Sequence, residues 1–201
     1  MIWEKEHFLW NRKWLWILII LGAGLLLSYL QPLELAEGGE VTFLSMLAVC
    51  MAGYFFGGWT GLLTALIFGC IKFLLRNVND SDNVVAELYD YILGYGLLGI
   101  CGFLCHKNEK DNNKEDKDKN KGKGSLWIGY LLAVLLRYIE SVWNCSYFYD
   151  ETIRYSLVYS SYICVEMAVT LLILCIPQVR EAIEYLKYVA THAYEEDLDT
   201  F

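Results

Sequence analysis

The chain has 201 residues, 56% of them hydrophobic, with a positive mean hydropathy of +0.34 and a formal net charge of −8. A soluble domain of this length rarely carries so much apolar residue, so the composition points to a chain held in lipid. The one dense lysine run is nearly balanced by acids and carries no base-reading motif, which argues against a nucleic-acid partner.

A membrane-spanning helix needs roughly 20 apolar residues. Six stretches qualify in chain order: Trp14 to Leu30, Val41 to Phe56, Thr60 to Leu75, Val84 to Leu104, Leu126 to Trp143 and Leu157 to Ile176. The predicted fold is therefore all-α, a six-transmembrane-helix bundle surrounded by membrane lipid. Trp3, Trp10, Trp14 and Trp16 crowd the first entry into the membrane and read as an interfacial anchor. The first apolar run is too long for a signal-peptide core and lacks a small-residue cleavage site, so it is expected to remain as the first span. Ala23, Gly24 and Ser28 give that span a small-residue stripe. Such residues let helices approach closely, either inside the bundle or against a partner protein. The second and third stretches are short and glycine-bounded, and also read as one broken hairpin. Gly61, Ala65 and Gly69 in the third, and Gly94, Gly99 and Gly102 in the fourth, predict close helix contacts.

Residues 1–177 form one membrane domain in this reading, interrupted at about 106–124 by a Lys, Asp, Glu and Asn run. That run has too little apolar residue to fold and is expected to be a disordered cytoplasmic linker. Residues 178–201 read as a cytoplasmic tail, amphipathic through Val179, Ile183, Leu186 and Tyr188 and then acidic. Lys5, Arg12, Lys13, the linker lysines, Arg180 and Lys187 fall on one side of a six-span chain. Glu34, Glu37, Glu40, Asp80, Asp82, Asp150 and Glu151 fall on the other. Positive residues mark the cytoplasmic side, so both termini are expected inside.

Six of the seven cysteines lie within predicted spans and behave as small packing residues; Cys145 is expected in a loop. Cys101 and Cys105 share a helical face but lack further metal ligands. There is no phosphate-binding Walker sequence and no His-Glu-x-x-His pattern. His7, His106 and His192 all lie outside the spans. No catalytic residue, metal site or cofactor is expected, and the chain does not read as an enzyme.

What remains is a polar group at one end of the bundle. Glu87 and Asp90 lie three apart on the fourth helix, bordered by Tyr91, and so share a face just below the external surface. Their counter-charge comes from a ligand or from Arg137 or Arg154. Arg137 and Glu140, three apart on the fifth helix, are positioned to pair with each other. Glu166 reads as a structural, bundle-facing acid. Trp143, Tyr147, Phe148, Tyr149, Tyr155 and Tyr159 form an aromatic group, placed in the external loop after the fifth helix, with Ser141, Asn144 and Ser160 among them. This is either an interfacial belt or a box for a flat cation, worth roughly 0.5–2 kcal/mol per aromatic face.

At these residues the chain resembles the thiamine-binding S components of energy-coupling factor (ECF) vitamin transporters. The resemblance rests on Gly38-Gly39-Glu40-Val41-Thr42 with Ser45-Met46-Leu47, on Leu88-Tyr89-Asp90-Tyr91 with Leu97-Leu98-Gly99-Ile100-Cys101-Gly102, on Arg137-Tyr138, and on Tyr155-Ser156-Leu157-Val158-Tyr159. It implies a six-helix fold that binds a small-molecule vitamin, thiamine or an analogue, near the external face. It implies delivery through a transmembrane coupling subunit and two ATPase subunits, which alone use ATP. It implies that Asp90 faces the ligand cation beside Tyr91 and that Tyr149 and Tyr155 hold the rings; Tyr159 is expected to add a further aromatic face, and Glu37 or Glu40, in the loop after the first helix, to belong to a lid. Ser141 stands where the family usually has His, Ser160 where it has Asn, and Ala23 and Gly24 replace its Ala-x-x-x-Ala contact. The retained acid argues for a cationic ligand, while thiamine, a thiamine precursor, a related pyrimidine and another vitamin remain open. The alternative is a non-transport membrane protein that assembles or regulates partners.

Overall fold

The computed structural model describes residues 2–29, 33–34, 40–42, 44–75, 83–105 and 125–191, without the side chains of 2–12, 33–34, 40–41 and 125. Helix α1 runs Ile2–Tyr29 and is followed by a minimal antiparallel pair, β1 (Leu33–Glu34) and β2 (Glu40–Val41). Then come α2 (Ser45–Phe56), α3 (Gly58–Leu75), α4 (Val84–Tyr89), a π-helical turn at Asp90–Gly94, α5 (Tyr95–Leu98) and α6 (101–105). The second half holds α7 (Ser125–Phe148), α8 (Ile153–Tyr159), α9 (Ser161–Cys175) and α10 (Pro177–Thr191). The predicted linker, Glu37 and the acidic end of the tail lie outside the described residues.

Four helical stretches are long and apolar enough to cross a membrane: Gly58–Leu75, Val84–Cys105, Leu126–Phe148 and Ile153–Cys175. Lys13–Tyr29 and Ser45–Phe56 are shorter apolar helices. With α4 to α6 taken as one rod and α8 with α9 as another, the described residues form seven rods rather than six. The extra one is α10, which packs across the ends of α1, α2 and α9. It buries Ile183 and Ala190, and two cations sit over aromatic faces: Lys187 Nζ is 4.1 Å from the Tyr54 ring centroid and the Arg180 guanidinium 5.7 Å from that of Trp127.

The sequence expects the second span to begin at Val41, but helix begins only at Ser45. Twelve residues at 1.5 Å each cover about 18 Å, well short of a hydrocarbon core of about 30 Å. The chain therefore reaches α2 through non-helical backbone, with Leu44 at φ 57, a left-handed conformation uncommon for a branched side chain. The strand β2 lies against α9, and Glu166 of α9 supplies what the linker lacks. Its carboxylate accepts hydrogen bonds from the Met46 amide (3.1 Å), from Ser45 Oγ (3.2 Å) and from Thr42 Oγ1. Leu44 has no side chain able to cap α2, so an acid from the far end of the sequence caps it instead.

Glycines set the spacing of the central helices. Gly57 turns α2 into α3 in a single residue at φ 93, which the absence of a Cβ permits. A Cβ on Gly61 would lie 2.5 Å from Gly53 Cα, and one on Gly99 2.5 Å from Leu62 Cα. Here backbone packs on backbone, as the small-residue pattern predicts. In α1 the stripe turns inward in part: Gly24 meets Phe68 and Ala48, and Ser28 is buried with its hydroxyl 3.3 Å from Lys72 Nζ. Gly22 and Ala23 are the small residues on its outer face.

Two sequence expectations are corrected. Cys145 lies in a helix and not in a loop, because α7 continues to Phe148. For the same reason Trp143, Tyr147 and Phe148 belong to α7, while Tyr155 and Tyr159 belong to α8. All seven cysteines are free thiols, and the Cys101 and Cys105 sulfurs lie 3.8 Å apart in the core.

Candidate functional site

Helix α7 carries the site because one of its faces is polar throughout its C-terminal half. Arg137, Glu140, Ser141 and Asn144 follow the i, i+3, i+4, i+7 spacing that stacks side chains on one face of a helix. All four are buried, at 2%, 7%, 5% and 5% exposure. Polar groups at this depth require partners or a ligand, since each unsatisfied one costs several kcal/mol in hydrocarbon. The opposing wall is the π-helical turn that begins at Asp90. A π turn inserts one extra residue into a helix and is frequent at functional sites.

The partners are unequally distributed. Arg137 Nη2 lies 3.9 Å from Asp90 Oδ2, and the guanidinium rests 4.0 Å from the Tyr95 ring centroid. Tyr95 stacks in turn on Tyr91, with centroids 6.2 Å apart and planes 7° from parallel. Asp90, Arg137, Tyr95 and Tyr91 thus form one continuous stack across the bundle. The expected Arg137–Glu140 pair does not form. Asp90 approaches the guanidinium from the facing helix, and both Glu140 oxygens lack a hydrogen-bond partner among the described residues. Glu140 and Arg137 flank Gly94 together: a Cβ there would lie 2.7 Å from Glu140 Oε2 and 2.6 Å from Arg137 Nη1.

Ser141 bonds Ser160 across the α7–α8 contact, with hydroxyls 3.1 Å apart. Two of the positions that depart from the resembled family therefore touch each other. Asn144 donates from Nδ2 to the Ala86 carbonyl at 2.9 Å, which fixes its amide and leaves Oδ1 buried with no hydrogen-bond partner among the described residues. Tyr155 stacks on Tyr159 at 6.2 Å, and Tyr159 meets Tyr162 edge-on at 6.4 Å. The phenols of Tyr159 and Tyr162 lie within electrostatic range of Asp90. Glu87 is half-buried one turn before Asp90.

Three sequence candidates stand apart. Trp143 is 49% exposed and packs with Tyr89, Tyr147 and Phe148 on the outer side of α7. Tyr149 is 49% exposed at the end of α7, within electrostatic range of Tyr159. Glu37 lies outside the described residues. Arg137, Glu140, Tyr95 and Tyr162 are not among the ligand candidates that the sequence singles out. The spacing of 137, 140, 141 and 144 in an otherwise apolar span was the available signal.

A family model described as thiamine transporter protein (Thia_YuaJ) matches residues 14–185. The chain belongs to this family. No curated protein and no solved structure matches it. The match covers every residue of the charged cluster and the Glu166 cap. As a family member the chain is a thiamine transporter component and not an enzyme, which displaces the reading as a non-transport assembly protein. Membership together with the apolar helices makes it a multi-pass membrane protein, and implies thiamine as its ligand.

Proposed function

We propose that the chain is the substrate-binding S component of an ECF-type vitamin uptake system in a bacterial plasma membrane. Six spans hold both termini in the cytoplasm, the two shorter apolar helices being completed by interfacial or non-helical residues. The ligand is thiamine or a related cationic pyrimidine, taken from the external side. It binds between the polar face of α7 and the π-helical turn. The acids there answer its positive charge, and Tyr155, Tyr159 and Tyr162 offer faces and hydroxyls. Release to the cytoplasm requires a transmembrane coupling subunit and two ATPase subunits.

One observation carries this reading: buried Arg137 and Glu140 stand with a half-buried Asp90, two acids around one base, inside a protein whose family transports a cation. A charge taken out of water is costly without a partner, so an acid in excess of the base ionises best against a monovalent cation. The test is calorimetric titration of the purified full-length chain with thiamine, with biotin and neutral riboflavin precursors as controls. Saturable binding of thiamine alone is the expected result. Binding of a neutral control with equal affinity, or no binding of thiamine, would overturn the assignment.

A further inference from the structure

We infer that the cleft between α1 and α3 is a binding site for one anionic phospholipid, with its phosphate at Lys13 and an acyl chain along Ile17, Leu63 and Ile67. The inference needs only that the chain spans a membrane, and it stands apart from the thiamine site. Lys13, Trp14 and Ile17 of α1 form one wall of the cleft, and Thr60, Leu63 and Ile67 of α3 form the other. The two helices run parallel at a constant offset of 44 residues, since Gly24 meets Phe68 and Ser28 meets Lys72. That register sets Lys13 level with the start of α3, where its Nζ lies 5.9 Å from the Phe56 ring centroid. The polar residues of the cleft, Lys13, Trp14 and Thr60, therefore share one end, and the aliphatic ones follow from it along both helices.

This is the order of a lipid: a charged group at the water interface and a hydrocarbon chain beneath it. Tryptophan beside a cation marks the level where hydrocarbon meets headgroups. The Phe56 ring steadies the ammonium without neutralising it, and no acid pairs with Lys13 among the described residues. An anionic headgroup is the counter-charge that a membrane supplies at that level. The apolar part of the cleft suits a chain more than a helix. Helices approach closely in lipid through small residues, and those of α3 are turned away. Gly61 packs on Gly53 of α2, and Ala65 is fully buried. What α3 shows to the cleft is large: Leu63 is 56% exposed and Ile67 41%. Side chains of that size hold a neighbouring helix off, while a flexible acyl chain follows the gap between them.

The test is native mass spectrometry of the full-length protein in detergent micelles. Phosphatidylglycerol and phosphatidylcholine with identical acyl chains compete for it. Wild type is expected to retain one phosphatidylglycerol with a preference of about fivefold, the selectivity one lysine gives toward anionic lipid. Lys13→Gln should bring the two lipids within about twofold of each other. Lys72→Gln removes a cation in the last turn of α3, at the other end of the helix, and should leave the preference intact. A phosphatidylglycerol with a diazirine in its acyl chain should label α1 and α3 around Ile17, Leu63 and Ile67. Equal retention of both lipids by wild type would overturn the inference and leave the cleft to a protein partner. So would a preference that survives Lys13→Gln, one that Lys72→Gln removes equally, or labelling confined to other helices. No outcome here depends on thiamine binding, so this inference and the S-component reading fail separately.

Discussion

Replacing Glu166 with Ala tests how α2 is held. The carboxylate accepts from three donors, the Met46 amide and the hydroxyls of Thr42 and Ser45, and is 1% exposed. A buried donor left without an acceptor costs about 1–3 kcal/mol. The lower end applies, because Thr42 and Ser45 lie 2.9 Å apart and can bond each other once the acid is gone. About 1 kcal/mol for each of the three donors gives a loss of about 3 kcal/mol. For a chain of this size each kcal/mol moves the melting temperature by about 2–4 °C, so the variant should melt about 6–12 °C lower. Glu166→Gln keeps one acceptor oxygen and should fall between the two. The assay is scanning fluorimetry in detergent, paired with hydrogen exchange at the Met46 amide, which should speed up in both variants. A Glu166→Ala protein that melts within about 2 °C of wild type, with Met46 still protected, would refute the cross-bundle cap.

Three further outcomes follow from the packing. Gly61→Ala places a methyl 2.5 Å from Gly53 Cα, where only backbone can yield, and should cost about 1–3 kcal/mol; Gly22→Ala meets nothing within 4 Å and should stay within about 0.5 kcal/mol of wild type, both read by thermal unfolding. Ser141→Ala and Ser160→Ala should each cost about 1 kcal/mol, with the double variant losing less than the sum, a coupling that a double-mutant cycle reads directly. Lys187→Ala removes the cation over Tyr54 and should loosen α10 by about 0.5–1 kcal/mol, seen as faster proteolytic cleavage near Pro177.

The apolar extents of the helices were legible because hydropathy is a property of composition. The ends were not. Trp143, Tyr147 and Phe148 extend α7 through the interface zone, where aromatic side chains weaken the apolar signal while the backbone stays helical. Helix contacts at Gly61 and Gly99 were legible from spacing. The facing of Gly24 was not, since a small residue serves an inner and an outer surface equally well. At the site, the acid at Asp90 and the polar face of α7 could both be read from the chain. The choice of partner could not: Asp90 approaches Arg137 from a different helix, and no local pattern encodes that meeting. The role of Glu166 was hidden for the same reason. Its partners lie 120 to 124 residues away in sequence.

That separation bears on how the protein is made. A chain synthesised from its N-terminus at about 5–20 residues per second adds Glu166 roughly 6–24 s after it adds Met46. Throughout that interval α2 has an uncapped start, and Tyr54 near its end waits still longer for Lys187. The second hydrophobic segment must wait, shielded by α1 and α3 or by the insertion machinery, until the last hairpin arrives to close it at both ends. Truncation before α9 would therefore strand a segment near the N-terminus, and the quality-control signature of such a product should be exposure of residues 42–46.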